Sequence, residues 1–213
     1  MGRMIVVEGV DGAGKRTLAD RLVTALADRG ARTHAVAFPR YDDDVHAELV
    51  RDALYGRLGD LTDSVHGMAV LYALDRRAAA DGLRAALAEH DVVLVDRYVA
   101  SGAAYGAARL HQDAAGEFVE WVRALEFDRF GVPVPDHHLL LAVSREVAAG
   151  RAAHRERTEP GRERDVYETD DGLQERTGAV YAGLAAAGWV APWVVLDGAA
   201  DVDAAALADR LLG

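Results

Sequence analysis

Cysteine is absent from the 213-residue chain. That excludes thiolate catalysis, zinc–thiolate centres and a disulfide framework, and it favours a reducing compartment, the cytoplasm being the expected location. Long apolar runs are missing as well. The short run Met4 to Val7 follows one basic residue, Arg3, and ends at Glu8, so neither a signal peptide nor a membrane span is expected there, and no other stretch approaches spanning length. Lys and Arg number 24 against 35 Asp and Glu, a net charge of −11. A field of that sign repels polyanions, which argues against nucleic acid or anionic lipid as the main partner; phosphate binding has to come from a local cluster of donors. The eight histidines show no metal-ligand spacing, and His137 and His138, opening a strand, are expected to point to opposite faces. Fixed-period repeats and a Pro-, Gly- or Ser-rich linker are lacking, as are the Asn-Lys-x-Asp and strand-ending Asp-x-x-Gly segments of a nucleotide-operated switch.

What is present suffices for a packed core. With 51% apolar residues the chain is expected to fold as one domain, 1–213. Strand-like runs at Met4 to Val7, Thr33 to Phe38, Val92 to Val95, Leu139 to Val143 and Trp193 to Leu196 are separated by segments of helical period. This alternation predicts an α/β fold, a parallel sheet covered by helices. The many alanines read as helix filler. A long helix is expected from Thr62 to Glu89, and the Arg-dense stretch Arg151 to Arg164, broken by Pro160 and Gly161, reads as a mobile loop.

Three segments carry chemistry. In the first, a short strand runs into Gly9-x-x-x-x-Gly14-Lys15 and then a helical pattern, the order of a P-loop. Glycines let successive N–H groups close around phosphate oxygens, the helix N-terminus adds positive potential, and Lys15 bridges the β and γ phosphates. Arg16 occupies the place where Ser or Thr usually ligates magnesium, with Thr17 one residue later; Asp11 or Asp96 is the alternative ligand. In the second, the strand Val92 to Val95 ends in Asp96-Arg97-Tyr98, at the sheet edge where ligands bind, and Arg97 is the expected grip on a second phosphate; a surface ion pair is the alternative. Phe38-Pro39-Arg40-Tyr41 leaves another strand the same way and brings two aromatics and a guanidinium to that edge. In the third, Tyr72 and Arg76 share one face of the long helix, an arrangement that suits a nucleobase or, alternatively, a core tyrosine beside a snorkelling arginine.

The segments EGVDGAGKRT, AFPRY, ALDR, DRYVASGAAY and an Arg-rich stretch ending in DVYE resemble, in order and spacing, those of thymidylate kinases, most of all the actinobacterial members. The resemblance implies a P-loop nucleoside monophosphate kinase fold, a five-stranded parallel sheet flanked by helices, and transfer of the γ-phosphoryl group of ATP to dTMP with Mg2+. A kinase for another nucleoside monophosphate or a deoxynucleoside is the alternative. It further implies that Gly9, Val10, Asp11, Gly12, Ala13, Gly14, Lys15, Arg16 and Thr17 hold ATP together with Arg151, and that Asp11, Asp165 and Glu168 attend the metal. For the acceptor it implies Asp11 between the substrates, Arg97 on the phosphate, Phe38 and Tyr72 on the thymine ring, Arg76 on a ring carbonyl and Tyr105 against the sugar. Pro39, Arg40, Tyr41, Ser101, Gly102 and Tyr167 line the remainder. Gly102 replaces the Asn of actinobacterial relatives and Gly106 the Gln that usually follows Tyr105. Family members form homodimers, and the long helix is the expected interface.

The acceptor is itself a phosphate, largely dianionic at neutral pH, so no general base is required. What the reaction demands is positive charge and in-line positioning. Lys15, Arg16 and Arg97 supply part, and a lid around 151–165 with Arg151, Arg155, Arg157, Arg162 and Arg164 the rest, Arg155 being the expected catalytic one; a solvated, salt-bridged face is the other reading of that stretch.

Overall fold

The computed structural model describes residues 2–144, 147, 150, 151, 167 and 171–212. The apolar runs form strands β1 (Arg3–Glu8), β2 (Thr33–Ala37), β3 (Val92–Asp96), β4 (His137–Ala142) and β5 (Trp193–Asp197). All pair in parallel, in the order β2-β3-β1-β4-β5. Met4 to Val7 and Val92 to Val95 are buried throughout, as strands covered on both faces must be. The helices are α1 (Lys15–Ala27), α2 (Val45–Leu54), α3 (Val65–Glu89), α4 (Val99–Arg109), α5 (Glu117–Arg123), α6 (Asp171–Ala187) and α7 (Ala204–Leu212). Among the described residues no helix is long and apolar enough to cross a membrane.

Register decides where the strands end. Val7 and Ala37 both pair with Asp96, so Glu8, Ala37 and Asp96 finish at one edge of the sheet, and Gly9, Phe38 and Arg97 are the first residues beyond it. Two hydrogen bonds fix the exits: Phe38 N–H donates to Asp96 O at 2.9 Å and Arg97 N–H to Val7 O at 3.0 Å. The Phe38–Pro39 peptide bond is cis.

Three details differ from the sequence reading. The long helix starts at Val65 rather than Thr62: Gly59–Asp63 is a 3-10 turn, and Ser64 caps α3 by accepting from Gly67 N–H at 3.1 Å. Strand β4 opens at the His137-His138 pair as expected but ends at Ala142, one residue short of the apolar run to Val143; His138 is buried against Trp193 of β5, ring centroids 4.2 Å apart. Most instructive, the alanines of α4 are not filler. Ala100, Ala103, Ala104, Ala107 and Ala108 are all fully buried where α4 packs against α5 and α6, and larger side chains have no room there.

Gly106 belongs to the same close packing. A Cβ built there would lie 2.0 Å from Cε1 of the buried Phe118 ring. Gly106→Ala is expected to cost about 1–3 kcal/mol, read as a lower urea midpoint. In a Phe118→Ala background, where the ring is gone, the same substitution should cost much less, a non-additivity that a double-mutant cycle measures directly.

Candidate active site

The glycine loop joins β1 to α1 under two local constraints. At Gly9, with φ 149°, any Cβ would come 2.8 Å from Leu141 O, so the loop can approach β4 only as glycine. Gly14, at φ 99°, is left-handed at the N-cap of α1, where an L side chain is strained. Lys15 opens the helix and its Nζ turns back over the loop, donating to Gly9 O at 3.0 Å and Val10 O at 2.9 Å. Burial and the Arg97 charge depress its pKa to about 8 against the opposing pull of Asp11, Asp96 and Glu8.

Asp11 is the hub of the site. Its Oδ1 accepts from Arg97 Nη2, and its Oδ2 from Tyr105 OH at 2.7 Å and Gln174 Nε2 at 3.2 Å. Its N–H donates to Gln174 Oε1 at 3.2 Å. Burial opposes ionisation of Asp11, but Arg97, Lys15, Tyr105 and Gln174 together outweigh it and hold the carboxyl at about 2. Arg97 has φ 65°, a conformation unusual for a non-glycine residue, and its guanidinium lies 5.6 Å from the Tyr105 ring centroid. Beside it Glu8, fully buried, accepts from Tyr98 N–H at 3.0 Å, Ser101 Oγ at 2.7 Å and Tyr181 OH at 2.9 Å.

Two cavities meet at this hub. One, of 1200 Å³, runs along Gly12 to Thr17 and reaches Arg151 and the 198–202 loop. The other, of 520 Å³, is lined by Phe38, Pro39, Tyr41, Tyr72, Arg76, Ser101, Gly102, Tyr105 and Tyr167 among others. Asp11, Arg16, Asp96 and Arg97 line both. Such a shared charged wall suits two anions brought face to face. Arg151 bridges the loop, donating to Ala13 O and to Gly198 O, each at 2.8 Å. Gly9 and Val10 line neither cavity; their carbonyls hold Lys15.

Comparison with known proteins now decides between nucleotide kinases. The family model described as thymidylate kinase matches residues 7–193. The thymidylate kinase of Mycobacterium tuberculosis is 51% identical over 208 residues, covering 98% of this chain and 96% of its own. That of Xanthomonas oryzae pv. oryzae is 38% identical over 224 residues, covering 100% and 87%. The chain belongs to the thymidylate kinase family. The five-stranded parallel sheet is that of the fold the resemblance implies, and the alternative of a kinase for another acceptor finds no support.

Not every residue expected in this thymidylate kinase lies where the sequence suggested. Arg40 lines neither cavity: its Nε donates to Asp75 Oδ1 at 2.8 Å, its Nη2 to Asp75 O at 2.9 Å, and Asp44 is 3.1 Å away. Asp75 is 1% exposed and requires a cation, and Arg40 supplies it, clamping the loop after β2 to α3. Arg155, Asp165 and Glu168, with most of the lid, lie outside the described residues.

Other residues of this kinase's site escaped the sequence reading. Gln174, the residue after buried Leu173 on α6, touches Asp11 through both ends of its amide, and nothing local marks it. Arg109 lines the smaller cavity with its guanidinium 4.9 Å from the Tyr167 ring centroid. Glu8 did carry a signal, a carboxylate ending an otherwise apolar strand.

The depressed Asp11 pKa makes a pH prediction. Its folded value of about 2 lies below the ordinary 3.8, so its contribution is present above the ordinary value and lost as pH falls toward 2. Its side chain is 24% exposed. The shift corresponds to about 2 kcal/mol. The stability deficit of Asp11→Asn should therefore be of that order at pH 6 and narrow to about half by pH 3, as urea unfolding at each pH will show.

Proposed function

We propose that the reaction of this thymidylate kinase, transfer of the γ-phosphoryl group of ATP to dTMP to give dTDP and ADP, takes place at the wall where the two cavities meet. The observation that carries this reading is the four-residue overlap, Asp11, Arg16, Asp96 and Arg97. ATP occupies the larger cavity, its phosphates on the glycine loop and Lys15, and Arg151 closes one side. The acceptor occupies the smaller one, with its phosphate on Arg97, its base between Phe38 and Tyr72, and Tyr105 against the sugar.

The acceptor oxygen is already anionic, so the residues need only position and neutralise. Lys15, Arg16 and Arg97 offset the repulsion between the two phosphate groups. Asp11 orients Arg97 through Nη2. Tyr105 and Gln174 in turn orient Asp11, so the guanidinium is aimed before substrate arrives.

Mg2+ favours a few carboxylate oxygens and completes its shell with phosphate and water. Asp96 fits that need: its Oδ1 is buried with no hydrogen-bond partner among the described residues, and the side chain belongs to both cavities. Asp11, whose two oxygens already serve Arg97, Tyr105 and Gln174, fits it less well. When bound, the ion supplies charge neutralisation at the phosphate oxygens.

The same proposal includes a single domain over 1–213, a lid around 151–165 bringing Arg155 over ATP with Asp165 and Glu168 near the metal, a cytoplasmic location in keeping with the cysteine-free composition, and a homodimer. Light scattering that gives the mass of one 22.8 kDa chain would remove the dimer. For the site, Lys15→Ala and Arg97→Ala are each expected to lower kcat/KM by at least about a hundredfold, a transition-state loss near 2.7 kcal/mol, with the fold retained by circular dichroism. Near-normal turnover of either variant would remove that residue from the reaction.

A further inference from the structure

Glu126 belongs to none of the motifs above. It lies on a π-helical stretch, Ala124–Arg129, that continues α5, a distortion often found at functional sites. Its carboxylate is 1% exposed and faces Arg76, which is 2% exposed. Oε2 accepts from Arg76 Nε at 2.6 Å and Oε1 from Nη2 at 2.7 Å. The backbone of Glu126 is held too, its carbonyl accepting from Val132 N–H at 3.1 Å.

A guanidinium carries five N–H donors in one rigid plane. Glu126 engages two. The others, both on Nη1 and one on Nη2, have no acceptor among the described residues, although the side chain is almost fully buried and lines the smaller cavity. These donors open onto the cavity, where a ligand acceptor can meet them in place of solvent. Because one carboxylate grips both Nε and Nη2, the guanidinium cannot rotate, and the direction of its open edge is set by Glu126 rather than by the flexible Arg76 stem. Gly102 bounds the pair on another side: a Cβ there would lie 3.1 Å from Nη2 and 3.9 Å from Glu126 Oε1.

We propose that Glu126 is the positioning residue for base selection: it holds the open N–H edge of Arg76 toward the acceptor cavity, so that a pyrimidine presenting a ring carbonyl is accepted and one presenting an amino group is refused. An amino group there would set donor against donor and leave both unpaired. This rests on reading the smaller cavity as the dTMP site.

Glu126→Gln keeps the shape but replaces one acceptor oxygen with a donor. It should raise KM for dTMP at least about tenfold and lower the preference for dTMP over dCMP by a similar factor, while kcat and KM for ATP stay within about twofold. Glu126→Asp, which keeps the charge on a shorter arm, should fold more readily and shift KM for dTMP in the same direction. An unchanged KM for dTMP in either variant, a fall in kcat with KM unchanged, or loss of the fold in both would overturn the proposal and leave Glu126 as a structural counter-ion. Arg76→Lys separates the two readings. If it leaves KM for dTMP unchanged, the smaller cavity is not the dTMP site; if it raises KM while the Glu126 variants do not, only the role of Glu126 falls.

Discussion

The ion pair between Asp11 and Arg97 ties together everything that makes the two cavities one site. Each partner is partly exposed, 24% and 19%, so neither is neutralised by burial and both keep their charge. Arg97 holds a left-handed backbone that costs on the order of 1 kcal/mol or more, sustained by its N–H bond to Val7 and by the guanidinium's hold on Asp11. Removing either partner leaves the other charge poorly compensated, which is more damaging than the pair is favourable. Through Tyr105 and Gln174 the pair also links α4 to α6, so the geometry where the two cavities meet depends on helices far apart in sequence.

Around the pair, charges of both signs are kept close without cancelling. Glu8, Asp11 and Asp96 face Lys15, Arg16 and Arg97 at the carboxyl end of β1 and β3. Burial pushes the Glu8 carboxyl up, while the cations pull Asp11 down, so two carboxylates three positions apart have opposite tendencies. The environment decides this, with desolvation dominating for Glu8 and ion pairing prevailing for Asp11. In a chain of net charge −11 the attraction for nucleotide phosphates is therefore local, made by oriented donors that the long-range field does not supply.

Around the smaller cavity, small residues do the shaping. Gly102 and Gly106 on α4 admit the Arg76 guanidinium and the Phe118 ring, and the alanines between let α4 lie close to α5 and α6. The cavity wall thus follows from which side chains are missing as much as from those present. Arg40 and Arg76, both read as ligand contacts, have different fates. Each is drawn to a carboxylate that is 1% exposed, Asp75 or Glu126, but only Arg76 remains on the cavity wall.

Short-range patterns were legible because their causes are local. A buried parallel strand must be apolar along its length, a phosphate loop needs glycine at left-handed positions, and a residue just past a strand end must lie at the sheet edge. Gly9 to Lys15, Phe38 and Arg97 could be read for those reasons. Gln174 and Glu126 could not, since each acquires its partner across a long stretch of chain, and a lone Gln or Glu on a helix looks like any solvated residue. By itself the sequence determined the α/β class, the glycine loop and the family of the chain, all carried by contiguous residues. Tertiary structure alone decided which carboxylate meets which arginine, because burial leaves each guanidinium only the acceptor that packing brings within reach.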